Sequence, residues 1–150
     1  MKLSNLIEED LMSFELRSAA KDEVIGELVE LASRSKLVRD KDLLLEEVLK
    51  REKLVTTGVG YGVAFPHAKT RAMKGIVIAF GRSADGVPFD AMDRKPVHLF
   101  FLIAAPEDTI GAHLNVMARL SFLMKSQENR DRLLAARNPG EVIEVLDSVD

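Results

Sequence analysis

The segment from Val97 to Ala105 constrains the fold more than any other part of the sequence. It is apolar at every position except His98, so both faces of an extended chain would be apolar. This pattern is typical of an interior strand that is covered on both sides. The apolar run between Gly75 and Gly81 predicts a second strand of the same kind. The sequence therefore predicts a sheet with helices packed on both of its faces.

Helical periodicity flanks this strand-rich middle on both sides. In the second predicted helix Asp40 can act as the N-cap, and Leu44, Val48 and Arg51 follow one another at steps of four and three along one face. Five helices are expected: from Ser18 to near Lys36, from Asp40 past Arg51, from Thr109 past Met124, near Asn129 to Ala136, and after Pro139.

Length and composition narrow the class of protein. A chain of 150 residues has the usual size of one domain. The net charge is −3 and the basic residues are dispersed, which argues against a nucleic-acid partner. No apolar stretch approaches the roughly 20 residues of a transmembrane helix, so membrane insertion is not expected. Cysteine is absent, which excludes thiolate chemistry and suits a cytoplasmic location.

Glycines alternate through the segment from Thr56 to Gly62, which is expected to be a loop. The next three residues predict a short strand that Pro66 should end, with His67 directly after it. The segment lacks the Gly-Lys-Ser/Thr sequence of a nucleotide-binding Walker loop. Its glycines would allow backbone N–H groups to approach an anion, although a tight turn explains the same spacing.

Three histidines and one arginine are the candidates for chemistry, and the residues alone leave two interpretations of most of them. His67 is either a neutral nucleophile or a hydrogen-bonded loop histidine. His113, in the first turn of its helix, either donates to an anion or only packs in the core. Arg51 either binds phosphate or pairs with Glu47. We interpret His98 as structural, and three histidines without motif spacing argue against zinc.

A set of motifs spread over nearly the whole chain resembles a known family. The motifs are Arg51-Glu52-Lys53, Thr57-Gly58-Val59-Gly60, Gly62-Val63-Ala64-Phe65-Pro66-His67, Phe89-Asp90-Ala91-Met92-Asp93, Pro96-Val97, His113-Leu114 and Arg119-Leu120-Ser121. Together they resemble the enzyme IIA domain of the bacterial sugar phosphotransferase system, of the fructose and mannitol type. The nitrogen-regulatory enzyme IIA proteins share the same pattern.

The resemblance implies a fold and a set of site residues. The expected fold is α/β: a single-domain, three-layer α/β/α sandwich with a central mixed β-sheet, over residues 1–150. His67 stands where the family carries its phosphorylated histidine, and Arg51 and His113 match the two residues that flank the phosphoryl group. Thr57 and Gly58 match the loop beside the site. Neither a metal nor another cofactor is expected.

The resemblance also implies a function and partners. The chain would be a cytoplasmic phosphotransferase that accepts a phosphoryl group from phospho-HPr, or an HPr-like carrier, for the uptake of a fructose-like sugar. The acceptor would be a cysteine of an enzyme IIB on a separate chain, because this sequence has no cysteine. The alternative is a nitrogen-regulatory protein whose phosphorylation state controls binding to regulatory partners. Tyr61 and Phe65 are expected to be exposed for docking.

Overall fold

The computed structural model describes residues 2–148, except for the side chain of Ile110. Short 3₁₀ turns at Leu3–Leu6 and Glu9–Leu11 precede the first strand. The strands are β1 (Met12–Ser13), β2 (Gly58–Gly60), β3 (Val63–Ala64), β4 (His67–Lys69), β5 (Val77–Val87) and β6 (Val97–Ala105). The helices are α1 (Lys21–Ala32), α2 (Lys41–Leu54), α3 (Ile110–Met124), α4 (Gln127–Ala135) and α5 (Pro139–Asp147).

The strands form one mixed sheet in the order β1-β5-β6-β3-β2, with β4 also paired to β6. Strands β5 and β6 are antiparallel, whereas β1 runs parallel to β5 and both β3 and β4 run parallel to β6. Strand β2 is antiparallel to β3. The predicted mixed sheet is therefore confirmed, and β6 matches the expected bounds.

Strand β6 lies at the centre of the core. Eight of its nine side chains are buried, and His98 is the partly exposed one. Phe100 contacts Phe89, and Phe101 contacts Phe65 and Phe80, at ring-centre distances between 5.3 and 6.1 Å. Neighbouring strand residues point to opposite faces, so each face of β6 carries its own aromatic contacts.

Two groups of helices cover the sheet. Helices α1 and α2 pack against each other, with α1 on β5 and α2 on β4. Helices α3, α4 and α5 pack together, and α3 and α4 contact β6. The predicted α/β/α sandwich is confirmed. Within residues 2–148, no helix combines the length and the apolar character that crossing a bilayer requires.

Helix α2 follows its sequence prediction closely. The side chain of Asp40 accepts a hydrogen bond from the Leu43 N–H at 3.0 Å, which is the expected N-cap. Leu44 and Val48 are fully buried, and Arg51 continues their line at the end of the helix. The apolar face thus seats α2 on the protein and sets the position of Arg51.

Three predicted boundaries of regular structure are wrong. Helix α1 begins at Lys21 and not at Ser18, whose hydroxyl donates to Glu27 and does not cap the helix. It ends at Ala32 and not near Lys36; there the Ser33 hydroxyl donates to the Val29 carbonyl at 2.7 Å and the chain turns. Strand β5 continues beyond Gly81 to Val87, through a register shift after Arg82. Beyond this shift the chain pairs with β6 again at Val87.

The glycine-rich segment is also more regular than predicted. Gly58–Gly60 is strand β2, which turns through Tyr61 and Gly62 into β3. Tyr61 has a φ of 61° and Gly62 a φ of 75°, so the turn uses the left-handed region twice. The expected loop is therefore a short hairpin.

Candidate active site

His67 begins β4, which pairs with β6 directly after β3 and a two-residue interruption. Strands β3 and β4 pair with β6 at the same offset, Val63 with Leu99 and His67 with Ile103. Pro66 has no N–H to donate, but its carbonyl accepts from the Ile103 N–H at 3.0 Å. The predicted short strand does end before Pro66, at Ala64, but pairing with β6 resumes at His67, which begins β4.

The structure brings His67, His113 and Arg51 together. The ring centres of His67 and His113 lie 5.3 Å apart, with His113 supplied by the first turn of α3 and Arg51 by the last turn of α2. All three line one cavity of about 420 Å³. The other residues that line it are Glu47, Lys50, Leu54, Ala68, Lys69 and Leu114.

A backbone contact fixes the tautomer of His67. Its Nδ1 lies 2.9 Å from the carbonyl oxygen of Phe65. A carbonyl oxygen can only accept, so Nδ1 of the neutral ring carries the hydrogen and Nε2 keeps the lone pair. The neutral ring therefore has its nucleophilic nitrogen on the side opposite the backbone.

Both site histidines favour the neutral form. Burial lowers the pKa of His67, and the positive charge of Arg51 lowers it further, while the Phe65 carbonyl opposes them. Burial lowers the pKa of His113 to about 4, assisted by the charges of His67 and Lys69. The buried Nε2 of His113 has no hydrogen-bond partner among the described residues. At neutral pH the site thus presents two uncharged rings, one with an unused polar nitrogen.

The charges that face the cavity favour an anion. The cavity lining contains three cationic side chains, those of Lys50, Arg51 and Lys69, and one carboxylate, that of Glu47. Within residues 2–148, Arg51 forms no ion pair with Glu47, so that predicted alternative is wrong; instead it donates to the Val55 carbonyl at 3.1 Å. One donor of the planar guanidinium is thus used to orient it, which leaves others for a ligand.

Thr57 and Gly58 lie outside the cavity lining. The N–H and the hydroxyl of Thr57 both donate to the carboxylate of Glu52, at 2.8 and 2.5 Å. The Gly58 N–H donates to the Thr56 hydroxyl, and a Cβ at Gly58 would lie 2.8 Å from that of Ala91. The structure therefore gives these two residues internal partners and a packing role, and does not group them with His67.

Neither of the two aromatic residues predicted for docking lines the cavity. Phe65 is only 1% exposed and stacks on Phe101, so its predicted exposure is wrong. Tyr61 is 67% exposed, but it lines a separate groove beside His98. The exposed apolar residues next to the cavity are Leu54, Val55 and Leu114.

Sequence reasoning missed some charged residues of the site. Lys69 lies two residues after His67 on β4, and period-two alternation along a strand would have placed both on one face. Glu52 is buried although it follows Arg51 in a charged segment; it lies one step of four beyond Leu44 and Val48, and that helical spacing would have placed it on the inward face. Within residues 2–148, no group of three or more acidic or histidine side chains could hold a metal ion.

Comparison with known proteins gives consistent matches. Residues 5–149 match the family described as "Phosphoenolpyruvate-dependent sugar phosphotransferase system, EIIA 2". The fructose-specific EIIA component of Haloferax volcanii is 40% identical over 98% of this chain and 96% of its own length. The fructose-specific EIIABC component of Bacillus subtilis is 37% identical over the whole chain, which spans 24% of that relative's length.

A solved structure agrees with these sequence matches. The nitrogen regulatory protein IIA-Ntr from Neisseria meningitidis superposes with a TM-score of 0.89 at 30% identity. The superposition covers 96% of this chain and 98% of that one. The similarity therefore extends over the whole sheet and both layers of helices.

Proposed function

The chain belongs to the EIIA 2 family of the phosphoenolpyruvate-dependent sugar phosphotransferase system, and we propose that it carries a phosphoryl group on Nε2 of His67. The observation that carries this proposal is the meeting of His67, His113 and Arg51 in one cavity, with the two ring centres 5.3 Å apart. Residues 1–150 act together as one carrier domain in this proposal.

In this proposal the transfer uses only groups of the two proteins. A phosphohistidine of the donor, HPr or an HPr-like carrier, aligns over Nε2 of His67. The donor's N–P bond breaks as the new N–P bond forms, and the hydrogen on Nδ1 of His67 stays in its contact with the Phe65 carbonyl. Such transition states spread charge over the equatorial oxygens, so the protein mainly positions and stabilises them.

His113 and Arg51 are the groups we assign to that charge. A neutral His113 can donate one N–H to a phosphoryl oxygen, and the lowered pKa keeps the ring from becoming cationic. Arg51 supplies a planar set of donors, of which one is occupied by Val55. Helix α3 begins beside the cavity, and the first N–H groups of a helix favour an anion.

The acceptor we propose is a cysteine of a fructose-type enzyme IIB. Support comes from the Bacillus subtilis relative, whose name combines the A, B and C components, and from the fructose-specific EIIA relative of similar length. The exposed apolar side chains of Leu54, Val55 and Leu114 would meet both partners beside the cavity. The phosphoryl group then leaves His67 for the sulfur, and the N–P bond is exchanged for an S–P bond.

The second candidate is nitrogen regulation. The Neisseria meningitidis IIA-Ntr structure favours it, because that protein superposes over nearly its entire length. In this case the phosphorylated and free forms would bind a regulatory partner with different affinities. The two candidates share the donor side and differ in whether the phosphoryl group moves on.

One labelling experiment tests both steps. The protein is incubated with enzyme I, HPr and phosphoenolpyruvate, and the phosphopeptide is identified by mass spectrometry. We expect one acid-labile phosphohistidine at His67. Phosphate on His98, or no phosphate at all, would overturn the assignment. Addition of a fructose-type enzyme IIB should then remove the label; its retention would favour the regulatory candidate.

A further inference from the structure

The carboxylate of Glu52 is buried beside the site without lining the cavity. Its side chain is only 3% exposed, and it follows Arg51 directly on α2. A buried carboxylate is costly unless each oxygen is paired or hydrogen-bonded. Here the oxygens accept from the N–H and the hydroxyl of Thr57 and pair with the Lys21 ammonium at 3.1 Å. The group is therefore held firmly in one place.

A continuous series of hydrogen bonds joins this carboxylate to the ring of His67. Glu52 holds Thr57, and the Thr57 carbonyl accepts from the Phe65 N–H at 3.0 Å. The Phe65 carbonyl in turn contacts Nδ1 of His67 at 2.9 Å. Thr57 is 5% and Phe65 1% exposed, so water cannot easily replace the bonds that join Glu52, Thr57 and Phe65.

We propose that Glu52 is a positioning residue for phosphoryl transfer, which fixes the strand bearing His67 at a set distance from the helix bearing Arg51. The inference rests on the proposed function of His67. Glu52 and Arg51 are neighbours on one rigid helix, so a clamp on Glu52 also fixes the base of the arginine side chain. Displacements of about 1 Å can cost about a hundredfold in rate, which gives such a clamp its value.

The neighbouring positions of α2 argue for a specific role. The other buried residues of the helix are Leu44 and Val48, and an apolar residue at position 52 would fill a similar place without the cost of burying a charge. Only a group with two acceptor oxygens can hold both donors of Thr57 and an ammonium group at once. The negative charge of Glu52 also opposes Arg51 in setting the pKa of His67.

The test uses three variants and one control. Glu52→Gln keeps the shape, removes the charge and replaces one acceptor oxygen with an N–H donor. Thr57→Val removes the hydroxyl bond, and Thr57→Ser restores it. Ser126→Ala removes the N-cap of α4, where the hydroxyl accepts from the Asn129 N–H at 3.2 Å. Ser126 follows the far end of α3, roughly 20 Å along the axis of that helix from its first turn. Loss of the cap in this control therefore lowers stability away from the site.

Transfer from phospho-HPr and the nitrogen spectrum of the His67 ring are both measured. We expect kcat to fall about ten- to a hundredfold in Glu52→Gln and about threefold to tenfold in Thr57→Val, with KM nearly unchanged. Thr57→Ser should regain wild-type kcat. The His67 ring nitrogens should show one tautomer in the wild type, from the Nδ1 contact with the Phe65 carbonyl, and a mixture of two in Glu52→Gln. Ser126→Ala should change neither.

Several outcomes would overturn the inference. One is a wild-type kcat with an unmixed tautomer in Glu52→Gln; another is an equal loss of kcat in Ser126→Ala, which would reduce the effect to stability. If Glu52→Gln does not fold, the Thr57→Val and Thr57→Ser pair decides, and equal rates for the two would contradict it. If wild-type protein takes no phosphate at all, the proposed function fails, and the ring spectrum still decides whether Glu52 positions His67.

Discussion

A histidine lies near each end of strand β6, His98 on β6 itself and His67 on the paired strand β4, and the two rings are held in the same way. His98 stands at the beginning of the strand, and His67 pairs with Ile103 near its end, roughly 17 Å further along. Nδ1 of each ring lies 2.9 Å from a backbone carbonyl, that of Ser83 or of Phe65. A fixed tautomer is therefore common to both and cannot by itself make a site.

The rings differ in what surrounds the other nitrogen. A Cβ at Gly86 would lie 3.0 Å from Nε2 of His98, so the backbone of β5 covers that edge of the ring. The groove beside His98 holds neither an arginine nor a second histidine among the described residues. His67 instead meets side chains from α2 and α3. The comparison teaches that the surroundings of His67 differ from those of His98 chiefly through the neighbouring helices, while the backbone contact that orients the ring is common to both.

The largest predicted effect separates the two histidines directly. His67→Gln should abolish labelling by phospho-HPr, because the nitrogen proposed to take the phosphoryl group is lost and the amide nitrogen of Gln is not nucleophilic. His98→Gln should keep labelling within about twofold of wild type, since Gln can still hydrogen-bond near Ser83. Labelling with a radioactive phosphoryl donor measures both. Equal loss in the two variants would break the comparison.

The sequence predicted the centre of the molecule better than its edge. Val97–Ala105 was predicted correctly because a strand covered on both faces leaves an apolar pattern in its own residues. Gly58–Gly60 was predicted as loop because its pairing depends on a turn in which Tyr61, a residue with a Cβ, takes a positive φ. That conformation is stabilised by tertiary contacts, including the bond from the Tyr61 N–H to Asp93, which short windows of sequence do not show.

The site was predicted in the same uneven way. Steps of four and three placed Arg51 on the face of Leu44 and Val48, but only the family resemblance joined it to His67 and His113. The resemblance predicted that Thr57 lies beside the site, and in the structure its N–H and hydroxyl both donate to Glu52. A charged residue in a charged segment is usually solvated, so the burial of Glu52 depends on Lys21 and Thr57, which meet it only in the folded chain.

The second prediction concerns Arg51, which has no counterpart in the groove beside His98. Arg51→Ala should slow transfer about a hundredfold, and Arg51→Lys about tenfold, because Lys keeps the charge and loses the planar set of donors. Lys53→Ala is the matched control, since it removes the same charge from the same turn of α2 at an exposed position. Quench-flow measurement of transfer from phospho-HPr gives the three rates. A rate for Lys53→Ala as low as that for Arg51→Ala would assign the effect to helix charge alone.

The third prediction uses the pKa of His113, which burial lowers to about 4. In the unfolded chain the ring has a pKa of about 6.5. Between about pH 4 and about pH 6.5 the unfolded state therefore binds more protons than the folded state. The free energy of unfolding should therefore fall as pH decreases from about 6.5 to about 4, by less than about 1.4 kcal/mol per pH unit for this one group. Chemical denaturation at a series of pH values measures it.

His113→Gln provides the comparison for that pH series. The variant lacks the titrating ring, so the difference in stability between wild type and variant should shrink as pH falls and level off below about 4. The lowered pKa of His67 acts in the same direction and remains in both proteins. A difference that stays constant from pH 7 to pH 4 would contradict a neutral, buried His113.

The smallest predicted effect extends the comparison from the strand to the two ends of α3. Leu114 and Phe122 are 61% and 67% exposed on the same helix, but only Leu114 lies beside the cavity. If partners dock around the cavity, Leu114→Ser should raise KM for phospho-HPr about fivefold, which corresponds to about 1 kcal/mol of lost contact, with kcat little changed. Phe122→Ser removes a larger apolar surface two turns away and should leave KM within about 1.5-fold. A greater rise for Phe122→Ser would move the docking surface away from His67, and the apolar side chains beside the cavity would then need another explanation.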